Sequence, residues 1–413
     1  MPKKAQPAPW LNGRRIRAHG LLLAVCLWSV YAVVMATPGL RDRNGLIKGT
    51  DFLHFYTIGT LALRGEGQLL YDMRAQSALV AKLIPQAAGT VYVPLYGPQV
   101  SLFFCPFAKL SYAWALVAWL LLNVGLYGLC VYVVWKTCPN LQRFRWTVVI
   151  AAMAFPGLFH LLTWGQSSGL ALLCFTLAFL ALHKNKWFLA GLAIGMLIFK
   201  PQLGLAAAVI FVASGEARIV LGALLAAGAQ LAVAWAHYGT AVMRSYVYAT
   251  LHVGDVLALL EPRLYRMHSL RAFWLLLLPW PRLDFVLYLL CSVAILVIAV
   301  RCWKAHLPLG LRYSAMLLAT VLVSPHLTAY DLVILAPAFL LFADWAIGNP
   351  GTRFASAVPW LLYACYLLFL LGPLARYTHL QLSVPAMVAL LWMTNAATLS
   401  SHDHTIATQY QAG

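Results

Sequence analysis

A chain of 413 residues with 62% hydrophobic side chains, only 10% charged ones and a mean hydropathy of +0.80 has too little polar surface to coat a soluble globule. Its formal net charge of +18 does not mark a nucleic-acid binder, because Lys and Arg are scattered between apolar segments and form no long basic face. What remains is an integral membrane protein whose basic residues serve membrane topology and anionic substrates.

Taken in order, residues 18–40 carry no charge, and about 20 apolar residues cross a hydrocarbon core of roughly 30 Å, so the run predicts a first span. Its length and the lack of a small-residue cleavage site argue against a removed signal peptide. Further charge-poor runs follow at 110–135, 146–183, 219–238, 285–300, 313–330, 332–343, 354–375 and 377–401. The run 146–183 is too long for one crossing and breaks at "PGLFHLLTWGQSSG", where Pro156, Gly157, Gly165 and Gly169 mark a helix end and a turn. Eight cysteines occur without a C-x-x-C pair and mostly inside apolar runs, which reads as small core hydrophobes and not as metal ligands or a disulfide frame. The whole chain reads as a single membrane domain, without an internal repeat or a soluble domain.

Basic residues cluster in the short connections: Lys3, Lys4, Arg14, Arg15 and Arg17; Lys136, Arg143 and Arg145; Lys184 and Lys186; Arg301, Lys304 and Arg312. The positive-inside rule puts these clusters in the cytoplasm, and residues 1–17 become a cytoplasmic basic tail. The long stretches 41–109 and 238–284 then become external loops, and a polar tail, 402–413, closes the chain. Lys186 and Arg218 must both be cytoplasmic, so residues 187–214 cross an even number of times. Two short limbs meeting at Lys200-Pro201 satisfy that parity, since Pro201 breaks a helix there. At about 1.5 Å per residue each limb reaches roughly 20 Å, and the apex carries a lysine that either faces a polar cavity or an anion, or snorkels to the outer interface. Counting each limb gives an all-α polytopic membrane protein of about ten to twelve membrane segments, with both termini inside.

The external loops hold most of the acids: Asp42, Asp51, Glu66 and Asp72 in the first, Asp255, Glu261 and Asp284 in the second. Asp51 precedes a helix-period apolar stripe of Phe52, Phe55, Tyr56, Ile58, Gly59, Leu61 and Leu63, suited to a helix lying on the membrane surface. Asp51 is either a helix N-cap or a reactive carboxylate, and Asp72 caps "MRAQSALVAKL". His54, three residues on, shares the helix face of Asp51 and stands close enough to orient it.

The segments "DFLHFYTIGTLALRGEGQLLYD", "VPLYGPQVSLFFCPFAKLSYAWALVAWLLLN", "GQSSGLALLCFTLAFLALHKNKWFLAGLAIGMLIFKPQLGL", "MHSLRAF" and "SPHLTAYDLVILAPAFLLF" resemble, in that order, glycosyltransferase family 87, the bacterial polyprenyl-phosphate-mannose-dependent mannosyltransferases of the GT-C superfold. The resemblance covers roughly residues 49–342. It implies a GT-C-type enzyme of the bacterial cytoplasmic membrane that takes a hexose, mannose by default, from a polyprenyl-phosphate sugar on the extracytoplasmic face. A glycan or glycolipid hydroxyl receives the sugar with inversion. A carboxylate just past the first span serves as general base in such enzymes, and Asp51 stands at the matching position. The chain departs from the family at "YVPLYGPQV", where a "YPP" element is more usual, which bears on the acceptor side.

The chemistry asks for a carboxylate to take the acceptor proton and for cations to hold the departing phosphate. Asp51 fits the first role. Lys200, Arg271, His326 and His268 are candidates for the second, with Arg64 a weaker one. Gln166, His160, His54 and Tyr56 are candidates for the sugar or acceptor. Each has a bland alternative: His326 after Ser324-Pro325 caps a turn, Arg271 meets lipid headgroups, and Gln166 closes the helix-turn backbone. Asp331 either steers a neighbouring cation or starts the next helix. The apolar stretch 273–281 reads as an interfacial helix lining the path of the donor lipid.

No G-x-x-x-x-G-K-[ST] loop, Rossmann glycine pattern or D-x-D is present, so neither a cofactor nor a metal is expected, and "HDH" at His402 to His404 reads as part of a polar tail. A transporter or flippase of lipid-linked sugars also needs many spans and intramembrane cations, but predicts two related halves and polar groups along the whole crossing path. A noncatalytic envelope scaffold predicts that Asp51 tolerates Asn.

Overall fold

The structure, a computed structural model, describes residues 12–396 apart from Pro262. Lys3 and Lys4 of the expected basic tail, and the whole tail 402–413 with His402 to His404, lie outside the described residues.

Among the described residues the chain is helical without strands, and its only sheet-like contacts are two isolated bridges, Arg41 with Ile47 and Met267 with Thr328. Helix α1, Gly13–Met35, starts earlier than the charge-free run predicts because Asn12 caps it by accepting from the Arg15 N–H at 3.0 Å. Arg14, Arg15 and Arg17 therefore ride on its first turns. The first loop folds into α2 (Thr50–Leu63), α3 (Met73–Leu83) and α4 (Gln99–Phe104). Asp72 caps α3, accepting from the Arg74 and Ala75 N–H groups.

Helix α2 does not lie on a membrane surface as its stripe suggested: Phe52 to Leu61 are all buried. Almost every face of α2 is apolar, so it goes inside, where the Phe55 ring stacks on Phe104 at 4.6 Å. Gly59 admits α4 so closely that a Cβ there would stand 2.6 Å from the Phe104 carbonyl oxygen.

Next come α5 (Tyr112–Lys136), α6 (Arg145–Met153), α7 (Pro156–Trp164) and α8 (Ser168–His183), broken at Pro156 and Gly165 as the sequence indicates. The limbs of the expected hairpin are α9 (Trp187–Gly195), drawn out by a tight turn to Phe199, and α10 (Pro201–Ser214). Lys200 sits between them in a non-helical conformation, φ −132° and ψ 69°. Helix α11, Ala217–Leu251, packs parallel to α9 through small residues, and a Cβ on Gly191 would come within 2.1 Å of the Ile219 carbonyl oxygen. It continues well past Tyr238, bending at Gly239 (φ 77°), so much of the expected second loop is helix.

The chain then forms α12 (Leu257–Leu260), α13 (Leu270–Leu277), α14 (Pro281–Lys304) and α15 (Leu309–Val323). An irregular stretch, residues 324–328, leads through a tight turn into α16 (Ala336–Gly348), followed by α17 (Arg353–Leu368), α18 (Gly372–Thr378) and α19 (Ser383–Ala396).

By length and composition, 5 helices among the described residues can cross a membrane, or up to 7 if each bent pair is one span. The sequence-based count of about ten to twelve also included apolar helices such as α8, α10 and α15, which have 16, 14 and 15 residues and reach only about 21–24 Å. The molecule is an all-helical polytopic membrane protein. One apolar cluster spans α8, α15 and α16 and another joins α2, α4 and α5. The candidate site lies between them.

Candidate active site

Two glycines in the left-handed region set the site. Gly49 (φ 66°) is the residue before α2, and Gly165 (φ 67°) ends α7. They stand back to back: a Cβ on Gly165 would lie 3.3 Å from Gly49 Cα and 2.9 Å from Phe52 Cβ. The Trp119 indole N–H donates to the Gly165 carbonyl at 2.8 Å, and the Tyr112 hydroxyl donates to Lys48 and Gly49 carbonyls at 2.7 and 3.0 Å. Tyr92 donates to the Thr50 carbonyl. The backbone on both sides of Asp51 and Gln166 is thereby pinned.

Asp51 does not cap α2, whose capping position is Gly49; its Oδ2 accepts from Gln166 Nε2 at 3.0 Å. The amide oxygen of Gln166 accepts from the Ser167 N–H at 2.8 Å, which fixes which end of the amide faces the carboxylate. Burial pushes the Asp51 carboxyl up to about 6, against the Gln166 hydrogen bond and the positive charges of Lys200 and His326.

Asp51 opens into a cavity of about 590 Å³. Its polar lining includes His160, Glu261, Arg263, Arg266, His268 and His326, while Val30, Tyr31, Val34 and Met35 of α1 with Phe369 and Leu370 make an apolar flank. The bridge between Met267 and Thr328, with the His268 N–H donating to Leu327 at 3.1 Å, holds two of these segments together. Residues 273–281, expected beside the lipid path, do not line this cavity.

The expected cations fare differently. Lys200 is 2% exposed, and its ammonium donates to Asp331 Oδ1 at 2.8 Å and Ser168 Oγ at 2.9 Å. Asp331 also forms a capping box with Thr328, so it both pairs a cation and starts the next helical turn. Nothing of Lys200 lines the cavity. Arg271 donates to both oxygens of Glu261 at 2.6 Å, and Glu261 meets His326 Nδ1 at 3.0 Å. Burial alone would raise the Glu261 carboxyl, but His326 and Arg271 together hold it below the usual range. Arg271 is thus tied to a protein carboxylate, and only His326 of this triad reaches the cavity wall along with Glu261. His268 contacts Ser383 Oγ at 2.8 Å, and burial lowers it to about 3, so it lines the cavity as a neutral ring. Arg64 is exposed at the end of α2, away from the cavity.

Two further expectations need correction. His54 does not orient Asp51: its ring packs against Tyr92 and Tyr96 at 5.0 and 5.7 Å, and neither ring nitrogen has a hydrogen-bond partner. Tyr56 is likewise turned from the cavity, donating to the Leu110 carbonyl at 2.8 Å. Residues of a helix one turn apart do share a face, but the aromatic "YVPLY" segment takes up His54 before Asp51 can.

The sequence reading passed over Arg263 and Arg266. Among the described residues neither is in an ion pair; Arg266 lies over the Trp164 ring at 4.9 Å, and both arginines line the cavity. The signal was the spacing in "RLYRMH", two arginines three apart just ahead of His268. Among the described residues no group of three or more His, Cys, Asp or Glu stands together as metal ligands would.

A carboxylate and two arginines thus line one half-apolar cavity in a polytopic membrane protein. The family model for glycosyltransferase family 87 matches residues 95–325, more than half of the chain, and the chain belongs to that family. It is a membrane glycosyltransferase. No curated protein and no solved structure matches it.

Proposed function

We propose that the protein moves a hexose, mannose by the default of its family, from a polyprenyl-phosphate sugar to a hydroxyl of a glycan or glycolipid, with inversion. The observation that carries this reading is the shared cavity: Asp51 on one wall, the acid-free Arg263 and Arg266 on another, and an apolar flank along α1. The lipid tail lies against α1 and the Phe369–Leu370 turn, in contact with the bilayer, and the phosphate meets the two arginines.

In the transfer step the acceptor oxygen bonds to the sugar C1 as Asp51 takes its proton. The bond from C1 to the phosphate oxygen breaks, and its electron pair leaves on the polyprenyl phosphate. Attack opposite the leaving group inverts C1. Gln166 holds the base, and His326, His268 and His160 offer hydrogen bonds to sugar hydroxyls. Lys200 and Asp331 position the hairpin apex beside Ser168 and do not touch phosphate. The basic connections favour a GT-C-type arrangement in a bacterial cytoplasmic membrane, with cytoplasmic termini and the cavity on the extracytoplasmic side.

The test is transfer by purified full-length protein from polyprenyl-phosphate mannose to envelope glycans, wild type against Asp51→Asn. Transfer that depends on Asp51 is expected. Retained transfer in Asp51→Asn removes the base, and translocation of donor across vesicles without transfer favours a flippase.

A further inference from the structure

Beyond the Asp51 cavity the molecule has a second polar groove of about 570 Å³, formed where α11 continues past its bend and leans on the first loop. We infer that this groove is a binding site for a neutral oligosaccharide, and, resting on the transfer reading above, that it holds the body of the acceptor while its reactive end reaches Asp51.

The groove is built and held. Beyond Gly239, α11 repeats polar and aromatic residues at helical spacing, Arg244, Tyr248 and His252, all lining one side. His252 stacks under Tyr248 with ring centroids 4.0 Å apart, and its Nδ1 contacts the Tyr248 carbonyl at 2.9 Å, which stiffens the pair. Opposite stand Gln68 and Asp72, and Asp72 uses only Oδ1 to cap α3. The two sides are fastened by Ser101 Oγ to the Tyr238 hydroxyl at 2.6 Å and by the Tyr71 and Tyr246 rings at 5.9 Å.

Its chemistry selects a sugar. Arg244, Asp72 and Asp255 line the same groove, so it carries both signs and has no strong preference for a charged ligand. Tyr248 is 64% exposed, an aromatic face offered to the carbon face of a pyranose, with donors and acceptors for hydroxyls around it.

A second, independent observation is an unpartnered, buried histidine beside the groove. His54 is 5% exposed and has no partner at either ring nitrogen, a costly state for buried polar atoms. It lines a narrow pocket of about 10 Å³, room for about one water, which shares Tyr71 and Pro94 with the groove. On its other side the same segment presents Tyr92, which bonds the carbonyl of Thr50, the residue before Asp51. The segment Tyr92–Tyr96 thus lines the groove through Val93, Pro94 and Leu95 and, through Tyr92, reaches the backbone of Thr50, which lines the reaction cavity; the acceptor follows this segment toward Asp51.

The experiment uses full-length Asp51→Asn protein in detergent, titrated with neutral manno-, gluco- and galacto-oligosaccharides of two to four units, followed by saturation-transfer NMR and calorimetry. At least one series binds, Tyr248→Ala on that background weakens it about tenfold, and His54→Leu weakens it less. Tyr248 is exposed, so its truncation leaves the thermal unfolding curve in place. In the otherwise wild-type enzyme Tyr248→Ala raises the acceptor KM about tenfold and leaves the donor KM alone. Absence of binding in every series, or binding indifferent to Tyr248→Ala, overturns the groove. If Tyr248 governs binding but Asp51→Asn still transfers, the transfer mechanism falls and the groove stands. If Asp51→Asn abolishes transfer and Tyr248→Ala changes neither binding nor acceptor KM, the base stands and the groove falls.

Discussion

The side-chain amide of Gln166 lies 3.0 Å from Oδ2 of Asp51, although the two residues stand 115 positions apart. Gly49 and Gly165 make that contact possible, and the Ser167 N–H makes it directional. The hydrogen bond favours the ionised carboxylate. Gln166→Leu should therefore raise the Asp51 pKa further above its value of about 6 and lower kcat near neutral pH by about tenfold. A pH–rate profile of the variant checks this, with the acid limb displaced upward and the donor KM little changed. An unshifted limb would mean that Gln166 only closes the turn between α7 and α8.

The wild-type profile carries its own prediction. A general base must be ionised, so kcat/KM should fall about tenfold per pH unit below about 6 and level off above it. An ordinary carboxylate would place that limb near 4. The stability effect has the opposite sense: the folded state binds this proton more tightly than the unfolded one, so this group favours folding more as pH falls from about 6 toward 4. Activity and stability should thus move in opposite directions across that window. Thermal unfolding and initial rates on one preparation measure both, and a common direction would contradict the assignment of the limb to Asp51.

Arg266 lies over the Trp164 ring at 4.9 Å and is repelled by Arg263 beside it. Burial and that like charge both lower its pKa, and an arriving phosphate relieves the repulsion. Arg266→Ala should raise the donor KM by about tenfold or more, and Arg266→Lys should recover part of that loss, keeping the charge without the planar stacking. Donor titrations at several salt concentrations test it; a donor KM unaffected by Arg266→Ala would remove the phosphate from this corner.

Much of this fold was legible because apolar runs and their breaks are local properties. The break at Gly165, the cap at Asp72 and the hairpin around Lys200-Pro201 all follow from neighbouring residues and stand in the structure. What escaped was partnership across the chain. Lys200 looked like a free cation because nothing near residue 200 reveals Asp331, its partner at 2.8 Å. Arg271 is tied to Glu261 only ten residues away, but the irregular loop between them has no period from which that pairing could be read. The stripe on α2 misled differently: a helix apolar on nearly all sides is a core helix, and Phe52 to Leu61 are all buried.

The Lys200–Asp331 pair separates a positioning role from a binding one. Both side chains are buried, at 2% and 1% exposure, so removing either leaves an uncompensated charge, a loss of about 3–5 kcal/mol. Lys200→Met and Asp331→Leu should each lower the unfolding temperature in detergent. The double variant should recover most of the Lys200→Met loss, although it still lacks the capping box with Thr328, worth about 0.5–2 kcal/mol. Donor affinity is the deciding measurement. If Lys200 acts through the fold, the double variant binds polyprenyl-phosphate sugar nearly as well as wild type, because the phosphate contacts proposed at Arg263 and Arg266 are left untouched. If the ammonium itself reaches the phosphate, binding stays lost even where the unfolding temperature returns, since no repacking of the apex restores a missing cation.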